Sequence, residues 1–112
     1  MIEKILLDYL GTKLTVPVLM EVPEDDVTSF VVLQKTGSAK TDHIPSATIA
    51  AQSYGSSKYE AAQLNETVKS AIEGAIELNE ISKVELNSDY DFTDTATKRY
   101  RYQALYVITY LA

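Results

Sequence analysis

The sequence contains no cysteine and no tryptophan, a single histidine, three prolines and four glycines in 112 residues. Without cysteine there is no disulfide, no thiolate metal ligand and no thiol nucleophile, a usage that fits a reducing compartment. His43 has no second histidine with which to share a metal and no Gly-x-Ser-x-Gly elbow with which to build a triad, so it reads as a surface residue of a loop. Neither Gly-x-x-x-x-Gly-Lys-Ser/Thr nor Gly-x-Gly-x-x-Gly occurs, which leaves Gly55-Ser56-Ser57 as a helix cap rather than a phosphate cradle. No apolar run approaches the roughly 18 residues of a membrane span. The first residues, with Glu3 among them, lack the basic start of a signal peptide. The expectation is a chain that remains in the cytoplasm where it is made, with no membrane contact. Cations are scarce as well. Ten Lys and Arg stand against 16 Asp and Glu, for a net charge of −6, and they are scattered, which argues against specific nucleic-acid binding.

What is present is an ordinary globular composition, 46% hydrophobic and 23% charged, long enough for one domain over residues 1–112 that buries roughly two-thirds of its unfolded surface. Ile2, Ile5, Leu6, Tyr9 and Leu10 recur at helical spacing, with Gly11 placed to end the helix. Residues 16–22 are β-rich but flanked by Pro17 and Pro23, so they read as an edge strand or extended arm open to a neighbour. The apolar run in residues 28–35 reads as an interior strand. Residues 36–42 read as a polar, mobile hairpin tip, and residues 44–54 as the returning strand, with Ala47, Ile49 and Ala51 on one side. Ser57 and Glu60 form a capping box. It opens a helix of about 20 residues, roughly 30 Å long, with Leu64, Val68, Ala71, Ile72, Ala75 and Ile76 as its apolar stripe. Gly74 within it points to close contact between helix and sheet. The order α-β-β-β-α-β-β predicts an α+β fold: a mainly antiparallel sheet of about five strands packed against two helices.

The last two strands carry the most regular patterning. Residues 83–92 and 98–111 match as a hairpin if Asp91 lies opposite Arg99. That register sets Asp89 against Arg101, Asn87 against Gln103, Tyr90 against Tyr100 and Val84 against Tyr106, giving one face of ion pairs and one of aromatics. Asp89, Asp91 and Asp94 are then paired acids rather than a metal site, since no glycine or bidentate glutamate follows in the spacing of a calcium loop; a metal-dependent hydrolase built on them is the weakest reading. Tyr100, Tyr102, Tyr106 and Tyr110 share one face of the final strand. Either that face is core, or one side of it meets another subunit, because tyrosine joins a large apolar area to a polar tip. Two helices can hardly cover both faces of such a sheet, which favours association. The candidate interface residues are Pro17, Val18, Met20 and Pro23 on the arm, Gly37, Lys40 and Asp42 on the hairpin tip, and Tyr102, Tyr106 and Tyr110 on the strand. No catalytic, cofactor or metal residue is assigned and no cofactor is expected; the reading from residues alone ends at an acidic α+β domain that acts by association, or alternatively a small ligand-binding or regulatory module.

One further pattern changes the expectation. Val18-Leu19-Met20-Glu21-Val22-Pro23-Glu24-Asp25, followed by Phe30-Val31-Val32-Leu33-Gln34-Lys35-Thr36-Gly37, resembles the N-terminal half of small tail-completion proteins of long-tailed phages with Gram-positive hosts. Residues 53–62, 86–94 and 99–102 are similar to them too, so the likeness spans nearly the whole chain. It departs at Asp26-Val27, where such proteins often carry prolines, which leaves the shape of that loop open. The resemblance implies a tail terminator or head-tail joining protein: a virion structural protein without turnover, forming a hexameric ring that caps the tail tube and docks it to the head. Its implied partners are further copies of itself, the tail tube protein and a head-completion protein. Its implied location is the host cytoplasm during assembly and then the head-tail junction, with an acidic lumen that lets DNA pass without adhesion.

Overall fold

The computed structural model describes residues 1–24 and 27–111; Asp25 and Asp26, and with them part of the loop whose shape the resemblance left open, lie outside the described residues. The fold is α+β. Helix α1 (Ile2–Lys13) is followed by strands β1 (Val18–Leu19), β2 (Phe30–Thr41) and β3 (Ile44–Gly55), helix α2 (Lys58–Gly74) with a 3-10 turn over Ala75–Glu77, and strands β4 (Ile81–Asp91) and β5 (Tyr100–Tyr110). The strands form one sheet in the order β1-β2-β3-β5-β4, antiparallel throughout except that β1 runs parallel to β2.

Both helices pack on one side of that sheet. Ile2, Leu6 and Leu10 of α1, and Val68, Ile72 and Ala75 of the second helix and its 3-10 turn, meet Val31 and Leu33 of β2, Ala47, Ile49 and Ala51 of β3, and Ala104, Tyr106 and Ile108 of β5. The alternation along each strand is that of a sheet with one covered face. On the opposite side Phe30, Val32 and Tyr54 form a small second cluster under Leu19 and Val27, at the end of the sheet where β1 joins.

Several local expectations are corrected. Gly11 does not end α1: the helix runs through it to Lys13 and stops where Leu14 turns extended, and no glycine among the described residues has a positive φ. The strand expected over residues 16–22 is reduced to Val18–Leu19 at the sheet edge. Residues 36–42, expected as a polar tip, are strand up to Thr41, since β2 pairs with β3 as far as Thr41↔Ile44 and absorbs one extra residue in a bulge between Lys35 and Gly37. The turn itself is only Asp42 and His43, at φ 51° and 67°; two consecutive left-handed residues are the requirement of a type I′ hairpin. The capping box is half formed. Ser57 Oγ accepts from the Glu60 amide at 3.1 Å, but the Glu60 carboxylate accepts from the amide and hydroxyl of Ser56 instead of the Ser57 amide.

The two informative glycines sit in contacts of different kinds. A Cβ on Gly55 would lie 2.6 Å from the Ala61 amide nitrogen, so the chain can leave β3 and enter α2 this tightly only without a side chain. A Cβ on Gly74 would stand 3.0 Å from the Tyr9 hydroxyl. The close neighbour there is α1 and not the sheet.

Candidate interaction surfaces

The largest correction lies in the β4–β5 hairpin, and it redistributes the charged residues. Asp91 is opposite Tyr102, Asp89 opposite Ala104, Tyr90 opposite Gln103, Leu86 opposite Tyr106 and Val84 opposite Ile108, while Asp94 bridges to Arg99. Relative to the expected pairing the strands are displaced by three residues at the tip. An odd displacement turns the side chains of the tip to the other face, whereas below the bulge between Leu86 and Ser88 the displacement is two and Val84 keeps its face. The cause is the turn. Asp94 Oδ1 accepts from the Ala96 amide at 3.0 Å and the Thr97 amide at 3.4 Å, closing a loop over residues 95–98 that ends in left-handed Lys98, φ 57°.

Asp89 and Asp91 are therefore on the face opposite the arginines, and the expected pairs Asp91–Arg99 and Asp89–Arg101 do not form; Asp94, across from Arg99, engages its carboxylate in its own turn. Asp89 and Asp91 turn to the helix side. Asp91 meets Lys58 at 3.0 Å, and Asp89 accepts from Lys69 and, at 3.3 Å, from the Asn65 amide. The Thr93 hydroxyl and amide, with Lys58 adding to them, hold the Asp91 carboxyl down at about 2. Asp94 is also lowered, first by its bonds from Thr97 and only lastly by the charge of Arg101. Lys69 is raised by its bonds to Asp89 and Glu66. No group of three or more His, Asp or Glu able to hold a metal occurs among the described residues.

The arginines turn to the side without helices. The Arg101 guanidinium carbon lies 4.5 Å from the centre of the Phe92 ring and 5.7 Å from that of Tyr54. Its Nε donates to the Phe92 carbonyl at 2.7 Å and its Nη1 to the Tyr54 hydroxyl at 2.8 Å. Tyr54 in turn stacks on Phe30 with centroids 4.4 Å apart, and the Arg99 guanidinium lies 6.0 Å from the centre of the Tyr54 ring. Among the described residues no carboxylate makes a salt bridge with Lys98, Arg99 or Arg101. A cleft of about 380 Å³ opens beside them, with Lys98, Arg99 and Tyr100 on one wall, Val27 and Thr28 on another, and Phe30 and Tyr54 beneath.

Further along the same face a row of polar groups crosses three strands: Gln52 donates to Gln103 at 2.8 Å and Gln103 to the Tyr90 hydroxyl at 2.6 Å. Beyond it the register sets Ala50, Leu105 and Ser88 side by side, then Thr48, Val107 and Glu85. Leu105 and Val107 are half-buried, and neither helix among the described residues lies over them.

The tyrosine face proves to be the helix side. Tyr106 is fully buried, its hydroxyl donating to Glu73 at 2.7 Å; burial and then that carboxylate push its pKa up. Tyr110 packs against the main core and Tyr102, half-buried, lies opposite Ser53 and Asp91. The uncovered face is the other one, carrying Gln103, Leu105, Val107 and Thr109. On the arm, Pro17 accepts from the Val31 amide at 2.9 Å and Val18 pairs with Val31, whereas Met20 is exposed and Pro23 half-buried. Gly37, Lys40 and Asp42 are exposed along a β2–β3 hairpin whose outer half projects from the body of the molecule. The expected surfaces therefore stay dispersed: arm and cleft at one end of the sheet, hairpin tip at the other, with the uncovered face between.

Sequence reasoning missed Tyr54, Arg99, Arg101 and Phe92 as a cluster, and Lys58 and Lys69 as partners of the acids. The signal was the Asp-Thr-Ala-Thr turn, since an aspartate that accepts from amides two and three residues on closes a short loop. The sequence matches no protein-family model and no curated protein.

Proposed function

We propose that this chain is a virion structural protein of a long-tailed phage, a tail terminator or head-tail joining component that caps the tail tube as a ring of copies, hexameric by resemblance, and docks it to the head. The observation that carries the reading is the helix-free face of the sheet. Leu105 and Val107 sit at its centre with Ala50 between polar rows, and a one-sided sheet with no partner places polar residues there. A subunit that works by association needs such a face, and a ring needs different patches on neighbouring copies. The exposed Met20 and Val22 of the arm and the projecting hairpin supply surfaces of other shapes. On this reading the chain has no turnover. It acts in the host cytoplasm during assembly and then in the virion, against the tail tube protein on one side and a head-completion protein on the other.

The test is electron microscopy of particles made without this protein. Overlong tails free of heads are the expected result; tails of normal length joined to heads overturn the reading. Light scattering adds an independent arm, because a strict monomer whose melting temperature moves with a metabolite belongs to a ligand-binding module instead.

A further inference from the structure

The cleft beside Tyr54 is unusual for this molecule. In a chain of net charge −6, Lys98 and Arg99 stand at its rim without a carboxylate partner among the described residues, where Asp91 is engaged by Thr93 and Lys58 and Asp94 by its own turn. Arg99 is steadied over the Tyr54 ring, and its neighbour Arg101 is fixed by two hydrogen bonds. Such preorganised guanidinium groups favour planar carboxylates. The rest of the lining is mainly apolar and aromatic, with the hydroxyls of Thr28 and Ser56 among it, so the fitting ligand carries acids and apolar side chains together. About 380 Å³ admits one or two side chains. A nucleic acid would need cations repeated along its backbone, which this acidic surface does not supply.

The chain contains a segment of that description. Met20, Glu21, Val22, Pro23 and Glu24 lie outside the sheet's strands, with Met20 and Val22 each 43% exposed. Neither Glu21 nor Glu24 makes a salt bridge among the described residues, and Pro23 keeps the segment from adding to a ladder. We propose that the cleft at Lys98, Arg99 and Tyr54 receives the Met20–Glu24 arm of a second copy of this chain. The carboxylates of Glu21 and Glu24 then meet Lys98 and Arg99, and Met20 or Val22 enters against Val27 and Tyr100. Arm and cleft are different patches, so each copy offers one and accepts one, the heterologous geometry that closes rings. The proposal deepens the ring reading and relies on it only for the presence of a second copy.

The absence of cysteine makes disulfide trapping clean. One full-length chain carries Val22→Cys on the arm and another carries Ser56→Cys at the cleft. Oxidised as an equimolar mixture, they should give a covalent heterodimer, and adding Arg99→Glu to the cleft chain should lower its yield at least about tenfold, as should high salt. Lys98→Asn, which removes the charge while suiting the left-handed backbone, should also lower it. With both cysteines in one chain, linked multimers are expected. Closure within single chains, no disulfide, or a heterodimer indifferent to Arg99→Glu overturns the proposal. Tail length is a separate readout: normal complementation of the knockout by chains that form no such disulfide overturns the arm contact and leaves the tail reading standing. Disulfide formation with normal tails in the knockout does the reverse.

Discussion

At the scale of single residues, Asp91 illustrates how a few hydrogen bonds set an electrostatic property on an open surface. Thr93 donates to it twice, from hydroxyl at 2.6 Å and amide at 2.9 Å, and Lys58 faces it from the first turn of α2. Its carboxyl is therefore held at about 2, below the roughly 3.9 of an unfolded aspartate. A depressed folded value means that the stabilisation is fully present above about pH 4 and is lost as pH falls toward 2. Asp91→Asn should flatten that part of the acid limb when melting temperature is followed against pH, with little change in its slope near pH 7; an unaltered acid limb would mean that other carboxylates govern it. The acid is visible in the sequence, but its partners are not. The lysines that meet Asp89 and Asp91 come from α2, and only the face on which those aspartates lie decides between the lysines and the arginines at the start of β5, Arg99 and Arg101.

At the scale of elements, the helices and strands are legible in the sequence because their patterns are redundant. Ile2, Leu6 and Leu10 repeat every four residues and all three are buried; Ala47, Ile49 and Ala51 alternate and all face the core. The ends of elements are not legible, because single residues decide them. Gly11 can end a helix but also tolerates continuing one, and here the Leu14 amide still donates to the Leu10 carbonyl beyond it. The polar 36–41 stretch has weak strand propensity, yet pairing with β3 holds it extended. Its turn is built from Asp42 and His43 where Asn-Gly would meet the backbone demand with least strain. The double substitution Asp42→Asn with His43→Gly should raise stability by about 1 kcal/mol, measured by urea unfolding. No gain would show that the two native side chains offset their backbone cost by contacts of their own.

At the scale of the whole molecule, the division into a helix-covered and an uncovered face is only partly legible. The count of two helices correctly implies that one face stays open, but the tyrosines do not mark it, since Tyr106 and Tyr110 pack with the helices. Alternation in the sequence separates the faces of a strand and does not say which is inside when both carry apolar residues, as β5 does from Ala104 onward. The uncovered centre makes a prediction of its own. Leu105→Lys should cost at most about 1 kcal/mol, because the side chain is only half-buried in the single chain, but should abolish association. Thermal melting and light scattering on the same sample separate the two effects, and an assembly that survives the lysine would remove this face from any interface.

The strand order also has a consequence in time. β2 and β3 form a local hairpin, and so do β4 and β5, but the two hairpins are joined along β3 and β5, from Ser46↔Thr109 to Gly55↔Tyr100. Those contacts span α2 and about half the chain. Closing so long a loop loses entropy before the new contacts compensate for it, so the hairpins can form early and the seam between them limits the rate. Ala51 and Ala104, fully buried and opposite each other in that seam, stand where the two halves of the molecule first have to recognise one another.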